Sequence, residues 1–130
     1  MSTMQATIAS RNLKNLDSRY ERIDEIRDKY NSELGLENTS RHLYRIHVEN
    51  NVEAIAYFKE RGIVTGIHYT PQHLNPVFAE YNDIHEEFFF HEMVTIPSRI
   101  TLSIPLHDKL TDENVQYIIE TVKESECLIK

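Results

Sequence analysis

RHLYRIHVENNVEAIAYFKERGIVTGIHY, residues 41–69, decides the fold, because its apolar period changes twice. In RHLYRIHVEN (41–50), Leu43, Arg45 and His47 alternate against Tyr44, Ile46 and Val48. That two-residue repeat predicts a strand with one face on a core. Asn50 then offers an N-cap oxygen, and Glu53 three positions on completes a pattern like a capping box. The helix it starts, Val52–Arg61, presents Val52, Ile55, Ala56 and Phe58/Lys59 and stops at Gly62. IVTGIHY (63–69) predicts a second strand that runs into a turn at Pro71.

Upstream, apolar residues fall at Met4, Ile8, Leu13, Leu16, Tyr20, Ile23, Tyr30 and Leu34, with Ile26 alongside, mostly in three- and four-residue steps. No Pro or Gly interrupts residues 1–34, and Gly35 is a stop signal, so one long helix is expected. Such a helix would be roughly 50 Å long. Part of its stripe would then need a partner beyond the small domain downstream. Leu74–Glu87 reads as irregular with helical pieces, ITLSIP (100–105) as a third strand, and Thr111 as the cap of a final helix. The stripe of that helix is Val115, Ile118, Ile119 and Val122. The resulting order predicts an α/β (α+β) fold in which a small sheet is covered by helices on one face. Its parts are a linking or interface helix over residues 1–35 and a small α/β domain over 36–130.

Composition narrows the function. The chain has 130 residues, with room for one core; it is 40% hydrophobic and 27% charged. Its net charge is −7, from 21 acidic against 14 basic residues, which argues against nucleic-acid or anionic-membrane partners. Cys127 is the only cysteine, so no intrachain disulfide forms and a reducing compartment is expected. The first residues lack the apolar core of a secretory signal, and no apolar run approaches the ~20 residues of a membrane span. Phe88, Phe89 and Phe90, with His91 and Met93, read as core or interface. A cytoplasmic protein is expected.

Candidate chemistry gathers at the end of the middle strand. His68 and Tyr69 place an imidazole and a phenol where α/β folds usually display ligand-binding groups, and both can donate hydrogen bonds. His73 comes next, across the proline turn. The alternative is that these side chains are half-buried with satisfied hydrogen bonds and no ligand. His68 and His73 are five apart and His85 and His91 six apart; no pair has the i, i+4 spacing of a helical zinc site. His42 and His47 fall on opposite faces of their strand. Ser40, Ser98 and Ser103 lack the glycine elbow of a serine hydrolase.

Four stretches, in order, resemble the C-terminal part of the DegT/DnrJ/EryC1/StrS family of sugar aminotransferases. MSTMQATIASRNLKNLDSRYERIDEIRDKYNSEL (1–34) is similar to the family's long helix, and RHLYRIHV (41–48) to a strand it writes as yHlYvirv. KERGIVTGIHYTPQHLNPVF (59–78) is similar to L-x-x-x-GI-x-TGIHYp-x-x-HLqP-x-f. ITLSIPLHDKLTDENVQYIIETVKE (100–124) resembles the family's closing strand and helix.

The resemblance implies the small domain of a fold-type I enzyme that uses pyridoxal phosphate to move an amino group from glutamate to a keto-sugar nucleotide, usually as a homodimer. A branch of the family dehydrates sugars instead. In the family the GIHY segment lies beside the nucleotide sugar, so the resemblance assigns substrate binding to His68 and Tyr69, with His73 near the same entrance. It also implies a large N-terminal domain that carries the cofactor and a Schiff-base lysine in an S-x-x-x-x-K pattern. None of Lys14, Lys29, Lys59, Lys109, Lys123 and Lys130 stands in such a pattern. Met1 matches an internal methionine of the family, so the chain reads as a fragment, a split-gene half or a separately encoded domain. Expected, then, is a substrate-binding part with no catalytic residue and no bound cofactor of its own, joined through helix 1–35 to a large domain or a second subunit. The competing expectations are a non-catalytic assembly module and an unrelated α/β ligand-binding module.

Overall fold

The computed structural model describes residues 2–77 and 95–125. Its centre is the antiparallel pair of β1 (Tyr44–His47) and β2 (Thr101–Ile104), in the register Tyr44 with Ile104, Arg45 with Ser103, Ile46 with Leu102 and His47 with Thr101. The alternation in 41–50 holds: Tyr44, Ile46 and Val48 are buried, whereas Arg45 and His47 are exposed. The Val48 amide extends the ladder by donating to the Ile100 carbonyl at 2.7 Å.

Asn50 caps the next helix, α3 (Asn51–Glu60), by accepting from the amides of Val52 and Glu53, while its own carboxamide donates to Glu53. The buried face of α3 differs from the sequence expectation. Asn51, Ala54 and Phe58 turn inward, Ile55 is half-buried, and Val52 and Ala56 face solvent. Every position from Ala54 to Phe58 is apolar, so periodicity alone does not select a face; the bulk of Phe58 does. Asn51 can be buried because its side-chain amide donates to the Ser98 carbonyl at 2.7 Å. Gly62, at φ 73°, ends the helix in the left-handed region expected of a C-terminal glycine.

The N-terminal third is two helices. α1 (Thr3–Lys14) opens on a capping box between Ser2 and Gln5, and α2 (Leu16–Leu34) ends at Gly35, at φ 67°. The break is Asn15, at φ −104° and ψ 8°, whose amide donates back three residues to Asn12. Asparagine is a poor helix former, and that tight turn is enough to interrupt the pattern without Pro or Gly. α1 has no buried residue, whereas α2 sends Ile23, Ile26 and Tyr30 inward.

The core is a single cluster that includes Ile26, Tyr30, Tyr44, Ile46, Phe58 and Leu102, with the stripe of α5 (Asp112–Glu124) laid across it. Val115, Ile118, Ile119 and Val122 are buried as expected, and Thr111 and Asn114 form the cap. The short α4 (Ile96–Ile100) leads directly into β2. Tyr30 and Tyr44 meet edge-to-face at 4.9 Å, and their hydroxyls donate to the Pro105 carbonyl and to Asn31 Oδ1. Asn31 also grips the backbone of Asn38, and the Asn38 carboxamide in turn pairs with both backbone groups of Arg45 on the outer edge of β1.

The expected strand over 63–69 is reduced to one bridge. Gly66 exchanges both backbone hydrogen bonds with Ser103, while Ile63 is buried and Val64 is exposed. Beyond Gly66 the described residues make no further backbone pair with β2, and it is the His68 side chain that reaches Ser103. Gln72–Leu74 form a 3-10 turn. The readings of residues 78–87, of Phe88–Phe90 with His85, His91 and Met93, and of Cys127 and Lys130 fall outside the described residues. With helices on one face of a small antiparallel sheet, the α/β (α+β) fold class stands.

Candidate functional site

The bridge between Gly66 and Ser103 fixes the backbone from which the candidate residues project. The Gly66 amide donates to the Ser103 carbonyl at 3.0 Å, and the Ser103 amide donates to the Gly66 carbonyl at 2.8 Å. Two residues on, the His68 ring lies back over this bridge, with Nδ1 3.0 Å from Ser103 Oγ. The ring also explains the glycine. A Cβ at position 66 would stand 2.8 Å from His68 Cε1, closer than real Cβ contacts come. Gly66 therefore leaves room for an imidazole, a role glycine plays where groups approach closely.

Tyr69 is joined to His68 by a cis peptide and meets its ring edge-to-face at 5.2 Å. It is 73% exposed, so its phenol points into solvent rather than into the core. His68 is exposed overall, and its Nε2 has no hydrogen-bond partner among the described residues. Buried Pro71 anchors the turn beyond them. The structure thus brings two of the three sequence-assigned residues together on one rim. His73 belongs to the 3-10 turn Gln72–Leu74, and only its backbone is described.

Sequence reading set Ser103 aside for want of a glycine elbow and gave Gly66 no role. Ser103 is only 5% exposed, yet it is a polar residue in the otherwise apolar run Leu102–Ile104. That irregularity was the available signal. A serine hydroxyl beside an imidazole is also the geometry of an activated nucleophile. Here the amides of Gly66 and Ser103 are spent on each other, so neither can hold an oxyanion. Ser103 is itself buried, with its Oγ against the His68 ring. Nearby, Thr65 Oγ1 is buried without a partner among the described residues.

Charges elsewhere are structural. The hydrogen bond from Arg41 holds the Asp24 carboxyl below its usual range; Arg22 does the same for Asp112, Arg19 for Asp108 and Lys123 for Glu33. These pairs tie α2 to the loop before β1, to the approach to α5 and to α5 itself, through contacts of 2.5–2.8 Å. Burial pushes the Tyr44 hydroxyl up to about 12 and raises Tyr30 as well.

A lysine that forms a Schiff base works in a desolvated pocket or beside another cationic group. Lys14, Lys59, Lys109 and Lys123 are exposed, Lys29 is half-buried, and Lys123 Nζ is engaged by Glu33 at 2.5 Å. A groove of about 420 Å³ runs beside α1, lined by Thr3, Ala6, Thr7, Ser10, Arg11 and Lys14. All six belong to one helix flank, so these residues do not enclose a ligand. The described residues therefore do not fit pyridoxal phosphate. No group of three or more His, Cys, Asp or Glu among them could hold a metal ion, and no helix among them is long and apolar enough to cross a membrane.

The profile of the DegT/DnrJ/EryC1/StrS aminotransferase family matches residues 1–123. The chain is similar to the pleiotropic regulatory protein of Geobacillus stearothermophilus, 34% identical over 84 residues, 64% of this chain and 22% of that protein. It is also similar to the spore coat polysaccharide biosynthesis protein SpsC of Bacillus subtilis, 27% identical over 143 aligned positions, 95% of this chain and 36% of SpsC. Among solved structures, a Streptococcus pneumoniae protein described as a sugar aminotransferase superposes in its PMP form with a TM-score of 0.80 at 28% identity. Its PLP form gives 0.77 at 26%. Each of these matches covers 95% of this chain, and this chain spans only about a third of the solved protein, 34% and 35%.

Proposed function

The chain belongs to the DegT/DnrJ/EryC1/StrS aminotransferase family, and from that membership we propose that it forms the substrate-facing C-terminal part of a nucleotide-sugar aminotransferase. The observation that carries this reading is the exposed rim of His68 and Tyr69, with the His68 ring set against Ser103 at the bridge to Gly66. A nucleotide sugar offers phosphate and hydroxyl oxygens, the acceptors that an imidazole N–H and a phenol O–H select. His73, in the adjoining turn, is assigned to the same entrance. Pyridoxal phosphate, where bound in the whole assembly, supplies the electron sink for amino transfer from glutamate. This chain binds and orients the sugar; the cofactor and its lysine belong to a large domain or a second subunit joined through residues 1–35. The domain division at residue 35 and a homo-oligomeric, cytoplasmic assembly serving polysaccharide or antibiotic-sugar synthesis belong to the same proposal.

Two experiments test it. Titration with UDP-glucose and dTDP-glucose, followed by amide chemical shifts, should perturb residues around 66–70, and His68→Ala and Tyr69→Phe should each weaken the response. Unchanged binding in both variants would sink the assignment. Incubation with pyridoxal phosphate and borohydride should leave no stoichiometric adduct on any one lysine. Such an adduct would overturn the claim that the cofactor's lysine lies elsewhere.

The second reading, a non-catalytic assembly module or remnant, draws on α1, whose Met4, Ile8 and Leu13 are all more than half exposed. It predicts partner binding through α1 with no response to either nucleotide sugar. The dehydratase branch would keep sugar binding and differ only in chemistry at the cofactor.

A further inference from the structure

Ser103 is held more firmly than the histidine it touches. Its backbone amide and carbonyl are both bound to Gly66, and it sits opposite Arg45 in the ladder. A side chain on so constrained a backbone has little freedom, and its hydroxyl stands 3.0 Å from His68 Nδ1. The ring also lies over Gly66, where a Cβ would stand 2.8 Å from Cε1 and 3.5 Å from both ring nitrogens. The ring is thus located by one hydrogen bond and by its place over the glycine, and Nε2 is the nitrogen without a partner among the described residues.

We infer that Ser103 is a positioning residue for His68: its hydroxyl donates to Nδ1, holds the neutral ring as the Nε2–H tautomer, and aims that N–H outward as the donor for a phosphate or hydroxyl oxygen. Which ring nitrogen carries the proton is set by the hydrogen bond the other one makes. The inference rests on the assignment of His68 to substrate binding for its purpose, but its geometry can be tested without any substrate. Ser103 takes no part in bond making; it acts through His68.

The test is imidazole nitrogen spectroscopy on the whole chain, read at the alkaline end of a pH series, where the spectrum no longer changes and reports the neutral ring. The His68 signals are identified by their absence in His68→Gln. The wild type should show Nε2 protonated and Nδ1 accepting, with a proton–proton contact between His68 Hε1 and the Gly66 Hα atoms. Ser103→Ala should lose that contact and reduce the tautomer preference about two- to tenfold, the worth of one net hydrogen bond. Ser103→Thr, which keeps a hydroxyl, should restore both. If Ser103→Ala does not fold, Ser103→Cys takes its place, a near-isosteric weak donor expected to lose most of the preference. A wild-type ring protonated on Nδ1, or an unchanged tautomer ratio in the Ala or Cys variant, would overturn the inference.

Binding of UDP-glucose and dTDP-glucose to His68→Gln separates this from the functional reading. Tautomer loss in Ser103→Ala together with unaffected sugar binding in His68→Gln leaves the positioning role standing and removes the substrate role. The converse pair of results does the opposite.

Discussion

The two edges of β2 are made differently. One runs against β1 through four paired residues, with Ile46 and Leu102 sealed beneath them. Among the described residues the other is paired through the backbone at Gly66 only, and two residues beyond that point stand an exposed imidazole and then an exposed phenol. A continuous ladder over a packed face resists opening as a unit, whereas a single bridge can hold a backbone in place and still leave the next residues free to meet a ligand. Stability on one edge and placement on the other is the division of labour this implies.

Ile46→Ala tests the stable edge hardest. It empties a fully buried position and should cost about 2–5 kcal/mol in denaturant unfolding. The fraction that stays folded should still respond to nucleotide sugars. An equal loss of stability on removing His68 would break the comparison. Tyr44→Phe should cost less, about 0.5–1.5 kcal/mol, since Asn31 Oδ1 keeps the Asn38 amide as a donor.

Alkali probes the same tyrosine. Its folded value, about 12, lies above the unfolded value near 10. A raised value contributes stability that is fully present below pH 10 and is lost as pH climbs towards 12. Unfolding followed by tyrosine absorbance should therefore become cooperative in that window, and Tyr44→Phe should shift it. Gly66→Ala should barely move the melting temperature, because the exposed His68 ring can swing away, yet it should match His68→Ala in nucleotide-sugar binding.

The smallest effect belongs to the surface ion pairs. Asp24, Asp108, Asp112 and Glu33 have depressed values, so what they contribute is present above the unfolded carboxylate range near pH 4 and fades as pH falls below it. Melting temperature should be flat from about pH 5 to 8 and decline below about 4, with Arg41→Ala nearly silent at neutral pH.

Local chemistry in the sequence located most element ends. Asn50 and Thr111 are caps, Gly35 and Gly62 are left-handed stops, and the alternation around Tyr44 states which face is inward. What could not be read depends on contacts distant in sequence. Ile63 and Val64 have strand-forming side chains, but the strand they suggest is cut short by an imidazole folding back over Gly66, a contact invisible to periodicity. The break at Asn15 comes from a single residue with no strong breaker beside it. His68 and Tyr69 could be singled out by type and position. The groups that hold them could not, because Ser103 lies thirty-five residues away from His68 along the chain.

Arg45 and Ser103 are partners across the ladder, and each turns its remaining backbone amide and carbonyl away from the other strand. Both outward pairs are occupied at that level: Ser103 by the peptide of Gly66, and Arg45 by the carboxamide of Asn38, an amide standing in for a missing strand. An unsealed two-stranded ribbon would offer both flanks to any passing extended chain. Here a side chain on one flank and a glycine on the other close the ribbon at its middle. Even with α1 uncovered, a neighbouring copy finds no open backbone at that level along which to grow a shared sheet.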